Sequence, residues 1–310
     1  MASISISLSH IIFIASPRND TERNMLSTSG RERRIAARKV RRSLTEISPL
    51  NSHPQMQSPL FSILPPEIRN QIFELAVSEH EDSTRPYDPT DNYYRPGHCF
   101  PKVIYTDLLR TCRRVYYETN TIPMSSATHC FWLGTISWSR DPNRTPLRFE
   151  SLTRKQQTDL NHVHVFMAYY CRAFSTFISP QQFRPKHLTI TISWGPQWSD
   201  TRYGNDYIQQ LFSAGWGSTG LTKFPNELED IKIEFEATKD WKGELDELIK
   251  RVMLWRFELR DGTDMVADES TSVRSWTRQR GWRRTKPPSS YEFLVVTVTW
   301  RRLASAENKD

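Results

Sequence analysis

Histidine and cysteine offer the first candidate chemistry in this sequence, because both residue types bind transition metals. The chain contains two adjacent pairs, His98-Cys99 and His129-Cys130, and a third candidate, His162-x-His164, whose imidazoles would share one face of a strand. The two pairs are far apart and lack a usual ligand spacing, and no pattern of Asp, Glu or Cys completes a set beside the third. The sequence therefore predicts neither a metal site nor a cofactor.

Catalytic motifs give no stronger signal. The sequence contains no G-x-S-x-G nucleophile motif and no H-E-x-x-H metalloprotease motif. The glycine-rich segment 215–220 lacks the lysine and the strand-to-helix context of a phosphate-binding loop, so we interpret it as a plain loop. We therefore expect no catalytic residues, and the sequence predicts that the protein is not an enzyme.

Aromatic and basic residues are interleaved over residues 274–286, which is typical of surfaces that bind single-stranded nucleic acid by stacking and phosphate contacts. The candidate contact residues are Arg278, Arg280, Trp282, Arg283 and Arg284. The alternative is an exposed loop between two strands, with its tryptophan side chains packed back on the sheet.

The net charge of +7 is concentrated in that segment and in residues 31–42. Each of the two segments contributes +6, so the rest of the chain carries a net charge of −5. This distribution indicates a mildly acidic body with two basic patches, and it disfavours a uniformly basic nucleic-acid-binding protein.

A helix within residues 60–77 is the best candidate for a binding element. Pro65 and Pro66 suit the start of a helix, where a missing N–H costs no hydrogen bond. Ile68, Ile72 and Leu75 recur at i, i+4 and i+7, which predicts an apolar stripe, and the pattern places Arg69 on the polar face. The helix either buries this stripe in its own core or presents it to another protein. The residues expected to contact such a partner are Leu64, Pro65, Ile68, Ile72 and Phe73.

Two motifs resemble a known family. Residues 64–73 read LPPEIRNQIF, and residues 108–118 read LLRTCRRVYYE. The first resembles the opening of an F-box, the module by which substrate receptors dock on the Skp-type adaptor of cullin ubiquitin ligases. The second is similar to the Leu-rich helix of such a module, with its Cys-Arg pair. Together they resemble F-box-like proteins of filamentous fungi, and the resemblance covers most of residues 58–303.

The resemblance implies a non-enzymatic protein-interaction function, with a Skp-type adaptor as one partner and an unknown substrate protein as the other. The sequence departs from the family pattern in residues 80–106, a segment rich in Pro and Tyr that replaces a short link between the motifs. Glu67-Ile68-Arg69 also matches the first of two Glu-x-Arg signatures of a sister family, whereas Cys112-Arg113-Arg114 does not supply the second. The alternative function is nucleic-acid association through residues 31–42 and 274–286.

Composition predicts four segments. These are a disordered basic leader (1–57), an F-box-like module with a Pro/Tyr-rich insertion (58–120), a partner-recognition domain (121–303) and a tail (304–310). The Arg-rich part of the leader is either a targeting signal or a solvated arm. The apolar run 11–14 is too short to span a membrane, so no membrane partner is expected. Four cysteines without CxxC spacing are typical of reduced thiols, which favours a cytoplasmic or nuclear location.

The expected fold class is α+β, with short F-box-like helices followed by a mixed sheet with packed helices. Apolar and β-branched runs predict strands at 163–167, 188–192, 231–235, 255–259 and 291–300. Thr153 and Gln156 form a capping-box pair that opens a helix, and the most regular helical pattern covers residues 241–253. Alternation of strands and helices favours parallel strand pairs. The uneven strand spacing excludes a regular leucine-rich solenoid and leaves a degenerate relative as an alternative.

Overall fold

The computed structural model describes residues 44, 46–89, 94–133, 149, 152–167, 174, 177–194, 223–279 and 290–303. The chain forms two compact units. The first unit comprises Met1–His80 and Lys102–Ser126, and the second comprises Glu81–Pro101 and Ala127–Asp310. Residues 81–101 of the predicted insertion therefore group with the second unit. The basic segment 31–42, the glycine-rich segment 215–220 and the tail 304–310 lie outside the described residues.

The first unit contains the two helical motifs. Helix α1 is Pro59–Ser62 and α2 is Pro66–Val77. Pro65, with extended backbone angles of φ −56° and ψ 151°, caps α2, and Pro66 occupies its first position, where no N–H is needed. Glu67 places a negative charge in the first turn, which complements the positive end of the helix dipole. The predicted helix is therefore confirmed in place and in type.

The second motif forms two short helical pieces. A 3-10 helix covers Leu108–Arg110, and α3 covers Arg113–Thr119, followed by α4 at Ile122–Ser126. Cys112 separates the first two because its backbone is extended (φ −157°, ψ 164°) and its Sγ accepts the Val115 N–H, which caps α3. The continuous helix that the pattern predicts is interrupted because this local hydrogen bond satisfies a backbone donor without a further helical turn.

The two motifs share one small core. Phe61 from α1, Phe73 from α2 and Val115 from α3 are buried together, and four partly buried residues surround them, Leu60, Leu108, Cys112 and Ile122. Strands β1 (Glu79–Glu81) and β2 (Lys102–Ile104) form a two-stranded sheet at the ends of the insertion. The insertion is therefore not the wholly irregular loop that its Pro and Tyr content predicts. Pairing of its ends keeps the two motifs close enough to pack.

The second unit is built on one eight-stranded sheet. Its strands are β3 Thr128–Leu133, β4 His162–Met167, β5 His187–Trp194, β6 Asp230–Thr238, β7 Arg256–Glu258, β8 Asp264–Ala267, β9 Ser272–Gln279 and β10 Ser290–Arg302. The order is β3-β4-β5-β6-β10-β8-β7, and β9 also pairs with β10. Strands β3 to β6 are parallel, and the pairs that involve β7 to β10 are antiparallel. The predicted α+β class with a mixed sheet is confirmed.

One face of this sheet carries the apolar core. Alternate residues of β4, β5 and β6 are buried there, among them Val165, Ile190 and Ile233, which stand side by side in register. Trp300 of β10 continues this face opposite Ile231, and its Nε1–H donates to the Trp255 carbonyl at 3.1 Å. Helix α5 (Arg154–Thr158) begins with the predicted capping box, and α6 (Lys242–Val252) buries three residues, Leu245, Leu248 and Val252.

Candidate binding surface and buried polar cluster

Helix α2 leaves its isoleucine stripe exposed. Ile68 is 42% exposed, Ile72 is 40% exposed and Leu75 is 73% exposed, and these residues lie on successive turns of one side. Pro65 is exposed and Leu64 is half-buried at the start of the helix. We call Leu64, Pro65, Ile68, Ile72 and Leu75 the α2 surface. Apolar side chains in such a row are free of the first unit's core and offer an apolar contact to another molecule.

The buried side of α2 corrects two expectations. Phe73 is 0% exposed and lies in the core with Phe61 and Val115, so it stabilises the unit and does not belong to the α2 surface. Arg69, which the polar pattern places toward solvent, is buried beside Phe73 and Val77. The buried face of α2 thus follows the i, i+4, i+8 series that starts at Arg69.

Arg69 is buried because its charge has partners. Its Nη1–H donates to the Leu64 carbonyl at 2.8 Å, and its Nε lies 3.5 Å from a carboxylate oxygen of Glu118. Arg114 also contacts Glu118, at 3.1 Å, and donates to the Pro54 carbonyl. Both guanidinium groups face the Phe61 ring, at 5.3 and 4.2 Å from its centroid. This arrangement joins the segment before α2 to α3.

The predicted nucleic-acid segment falls partly on β9. Trp276 stacks on Phe293 of β10 with ring centroids 4.9 Å apart, and Arg274 donates to Glu234 at 2.6 Å. Arg278 lies on β9 opposite Tyr291. Trp276, the tryptophan of this segment that lies within the described residues, therefore packs back on the sheet. This packing is what the alternative to nucleic-acid binding predicts. The remaining predicted contacts, Arg280, Trp282, Arg283 and Arg284, lie outside the described residues, so nucleic-acid binding stays a prediction.

The second face of the large sheet carries polar side chains. Cys130 of β3 and His164 of β4 stand opposite each other in register, and His98 from the insertion lies against them. One ligand atom from each of the three residues lies within 4.8 Å of the other two, and Cys130 Sγ is 3.9 Å from His98 Nδ1. The His98 ring packs edge-on against His164 and Phe166, at 5.3 and 4.9 Å. We call His98, Cys130 and His164 the His-Cys cluster.

A chain of hydrogen bonds extends from this cluster across the sheet. His164 Nε2 lies 2.7 Å from Thr191 Oγ1, and the Thr191 hydroxyl donates to Glu234 at 2.6 Å. The other oxygen of Glu234 accepts from Arg274. Because the Thr191 proton is directed at the carboxylate, its oxygen accepts from His164, which places a proton on Nε2.

A second carboxylate on the same face is also paired. Arg95 of the insertion lies 2.7 Å from Glu236, which also accepts from Ser193 at 2.5 Å. The Arg95 guanidinium faces the rings of Trp132 and Phe166. Glu234 and Glu236 are both buried on this face. Arg95 of the insertion contacts Glu236, whereas Thr191 and Arg274 of the sheet contact Glu234.

A further histidine pair lies on the polar face where strands β4 and β5 begin. His162 and His187 stack with ring centroids 4.6 Å apart, and His187 Nδ1 lies 2.6 Å from Asp230. Burial, and then the charge of His187, lowers the pKa of His162 below its ordinary value. His162 and His164 share a face as their spacing predicts, but they belong to different clusters.

The structure brings together three possible metal ligands that no spacing in the sequence indicates. One member of each His-Cys pair, His98 and Cys130, reaches His164, and the other two members do not take part. The available signal was the position of Cys130 and His164 on neighbouring strands. The position of His98 beside these two residues depends on the path of the insertion, and no sequence pattern specifies that path.

Comparisons with known proteins identify no family. No family model and no curated protein matches the chain. Among solved structures, precorrin-6y C5,15-methyltransferase from Geobacter metallireducens GS-15 is 12% identical, with a TM-score of 0.19, over 62% of this chain and 88% of that chain. Among the residues that the structure describes, no helix combines the length and apolar character needed to cross a membrane.

The prediction that the protein is not an enzyme is corrected. The methyltransferase is an enzyme, so the exclusion of enzymatic activity is withdrawn. A TM-score of 0.19 supports no shared reaction, and no activity is inferred from this likeness.

Proposed function

We propose that the first unit acts as an F-box-like module that binds a Skp-type adaptor of a cullin ubiquitin ligase. In this proposal, the second unit recognises the protein delivered to the ligase, in the cytoplasm or the nucleus. The observation that carries the proposal is the α2 surface, in which Ile68 and Ile72 remain exposed although Arg69, Phe73 and Val77 of the same helix are buried.

The packing of the two motifs supports the proposal. Phe61 and Phe73 belong to the first motif region, Val115 belongs to the second, and the three share one core. The insertion between the motifs therefore does not prevent them from forming one small helical module. A helix that offers apolar side chains at i, i+4 and i+7 is a recurrent way in which one protein contacts an apolar groove on another.

The chemistry of the surface also fits a protein partner. Its exposed members are aliphatic, and Arg69, the one basic residue of α2, points into the unit, where it contacts Leu64 and Glu118. An aliphatic row without an exposed cation on the helix favours an apolar groove over a nucleic acid, whose binding requires cationic contacts.

Co-purification of the full chain with a Skp-type adaptor tests the proposal. We expect the wild-type chain to form a complex, and we expect Ile68→Asp with Ile72→Asp to abolish it, because two carboxylates would be buried without partners at an apolar interface. Leu254→Asp is a matched control, since Leu254 is 80% exposed in the second unit. The control should bind as the wild type does.

Circular dichroism of each variant separates loss of binding from loss of fold. The proposal is rejected if the folded wild-type chain does not bind the adaptor, or if the double variant binds as tightly as the Leu254→Asp control.

A further inference from the structure

The His-Cys cluster has the donor atoms of a transition-metal site. One thiol and two imidazoles are borderline-to-soft ligands, which suit zinc and disfavour magnesium and calcium. In a tetrahedral zinc site with Zn–S near 2.3 Å and Zn–N near 2.05 Å, a sulfur and a nitrogen ligand lie about 3.6 Å apart. The observed separation of 3.9 Å between Cys130 Sγ and His98 Nδ1 is close to that value. The third ligand atom lies within 4.8 Å of both, and zinc binding would draw it to about 3.5 Å from each.

The hydrogen bonds of His164 prepare the ring for a metal. Its Nε2 donates toward Thr191, whose hydroxyl donates in turn to Glu234. A neutral ring with its proton on Nε2 has its lone pair on Nδ1, which is the tautomer required for ligation through Nδ1. Metal-binding histidines are commonly held by such an outer hydrogen bond to a carboxylate, here relayed by a hydroxyl. Arg274 fixes the carboxylate at 2.6 Å.

The backbone supports two of the three ligands. Cys130 and His164 are paired in register on neighbouring parallel strands, so the sheet sets the distance between them. His98 is held by ring contacts with His164 and Phe166. Ligands held in place by a rigid scaffold give more exact metal geometry than ligands on a loop alone.

The surrounding charges tolerate a cation. Arg95 is paired with Glu236 at 2.7 Å, and Arg274 is paired with Glu234, so neither guanidinium adds an uncompensated positive charge. Glu234 also lies 3.9 Å from His164 Nε2. The Cys130 thiolate would reduce the charge of a bound divalent ion to one net positive charge, and the neighbouring ion pairs would not add to it.

We propose that His98, Cys130 and His164 bind one zinc ion, with the fourth coordination position open to water. The ion would fasten the insertion to strands β3 and β4. Three protein ligands and one open position are the arrangement found in zinc sites that bind an exchangeable ligand. This site is separate from the α2 surface and does not depend on the adaptor proposal.

Metal content of the purified full chain is the first test. The chain, stripped with a chelator and reloaded with zinc, should retain one equivalent after gel filtration, measured by inductively coupled plasma mass spectrometry. Cys130→Ser and His164→Asn should lose it. Cys99→Ser and His162→Gln are matched controls. Cys99 is adjacent to His98 in sequence, and His162 lies on the same strand as His164, but neither belongs to the cluster, so both variants should retain the ion.

Cobalt provides a second readout. Co²⁺ in this site should give the absorption bands of a tetrahedral ion and a thiolate-to-cobalt charge-transfer band, and zinc should displace both. Thr191→Val removes the hydroxyl that orients His164 with little change in volume, and it should weaken metal affinity about 10- to 100-fold. A purely structural role of Thr191 would leave the affinity unchanged.

Each outcome decides the proposal. Failure of the folded wild-type chain to bind zinc, or cobalt binding without a thiolate band, overturns it. Equal loss of metal in Cys99→Ser and Cys130→Ser overturns it as well. If Cys130→Ser does not fold, the proposal is judged on the wild-type cobalt spectrum and on the metal affinity of Thr191→Val. A missing thiolate band or an unchanged affinity then overturns it.

Discussion

Replacing Arg69 by methionine tests whether a buried charge, and not only apolar packing, holds α2 in place. Methionine keeps much of the length and the apolar body of arginine but removes the charge and all N–H donors. The change therefore deletes the bond to the Leu64 carbonyl and the contact with the Phe61 ring, and it leaves Glu118 with Arg114 as its partner.

The expected cost follows from these contacts. The 2.8 Å bond from a charged donor to the Leu64 carbonyl is worth about 1.5–3 kcal/mol. The guanidinium over Phe61 at 5.3 Å adds roughly 0.5–1 kcal/mol. The 3.5 Å contact with Glu118 adds little because Arg114 remains at 3.1 Å. We therefore expect α2 to lose about 2–4 kcal/mol of local stability.

Hydrogen exchange with mass spectrometry measures this loss where it occurs. A chain with two compact units need not unfold in one step, so a local probe is preferable to a global melting curve. A loss of 2 kcal/mol should accelerate exchange in peptides of Pro66–Val77 by roughly 30-fold, since about 1.4 kcal/mol corresponds to a factor of ten. Peptides of β4 and β5 should be unchanged.

Arg110→Met is the matched control, because Arg110 is an exposed arginine of the same unit. It should leave the exchange of α2 within a few-fold of the wild type. If Arg69→Met and Arg110→Met give the same exchange in Pro66–Val77, the buried charge does not hold the helix and the reasoning is refuted.

Three further predictions concern binding, pH and the core. Ile68→Ala with Ile72→Ala removes apolar atoms that are about 40% exposed, worth about 1 kcal/mol per residue at a buried interface, so calorimetry should show adaptor affinity weakened about 30-fold. Burial lowers the pKa of His162, so the unfolded chain binds its proton more readily; the stability that this group contributes is present above pH 6.5 and is lost as pH falls through its folded pKa. The apparent melting temperature should therefore fall on acidification, and less steeply in His162→Gln, whereas an identical pH profile would contradict this origin. Trp300→Ala removes a fully buried ring and its bond to Trp255, which should cost about 3–5 kcal/mol and lower the melting temperature more than Leu254→Ala does.

Local patterns were sufficient wherever a residue's role depends on its neighbours in sequence. The prolines at 65 and 66 begin a helix because their missing N–H groups need no partner there. Thr153 and Gln156 cap one another because they lie three residues apart. Runs of β-branched residues became β4, β5, β6 and β10, and their alternation with helices correctly indicated parallel pairing for the first three. Strand β8 was missed because it is only four residues long, and β9 was missed because most of its residues are polar.

Local patterns did not determine which face of a helix or strand becomes buried. In α2, the pattern grouped Ile68 and Ile72 correctly but could not tell whether they face inward, because periodicity shows which residues share a side and not what covers that side. Arg69 is buried because the Leu64 carbonyl, Glu118 and Phe61 meet around it. Those partners are assembled by packing between two separate motifs.

The sequence by itself determined the α+β class, the start of α2 and the presence of parallel strand pairs, since these depend on local propensity and on the alternation of elements along the chain. Only the tertiary structure decided that the insertion covers the polar face of the sheet. That contact places Arg95 against the buried carboxylate of Glu236 and brings His98 to Cys130 and His164. The spacing of residues so far apart in sequence does not predict that they will contact each other, because their proximity is set by how the whole chain packs.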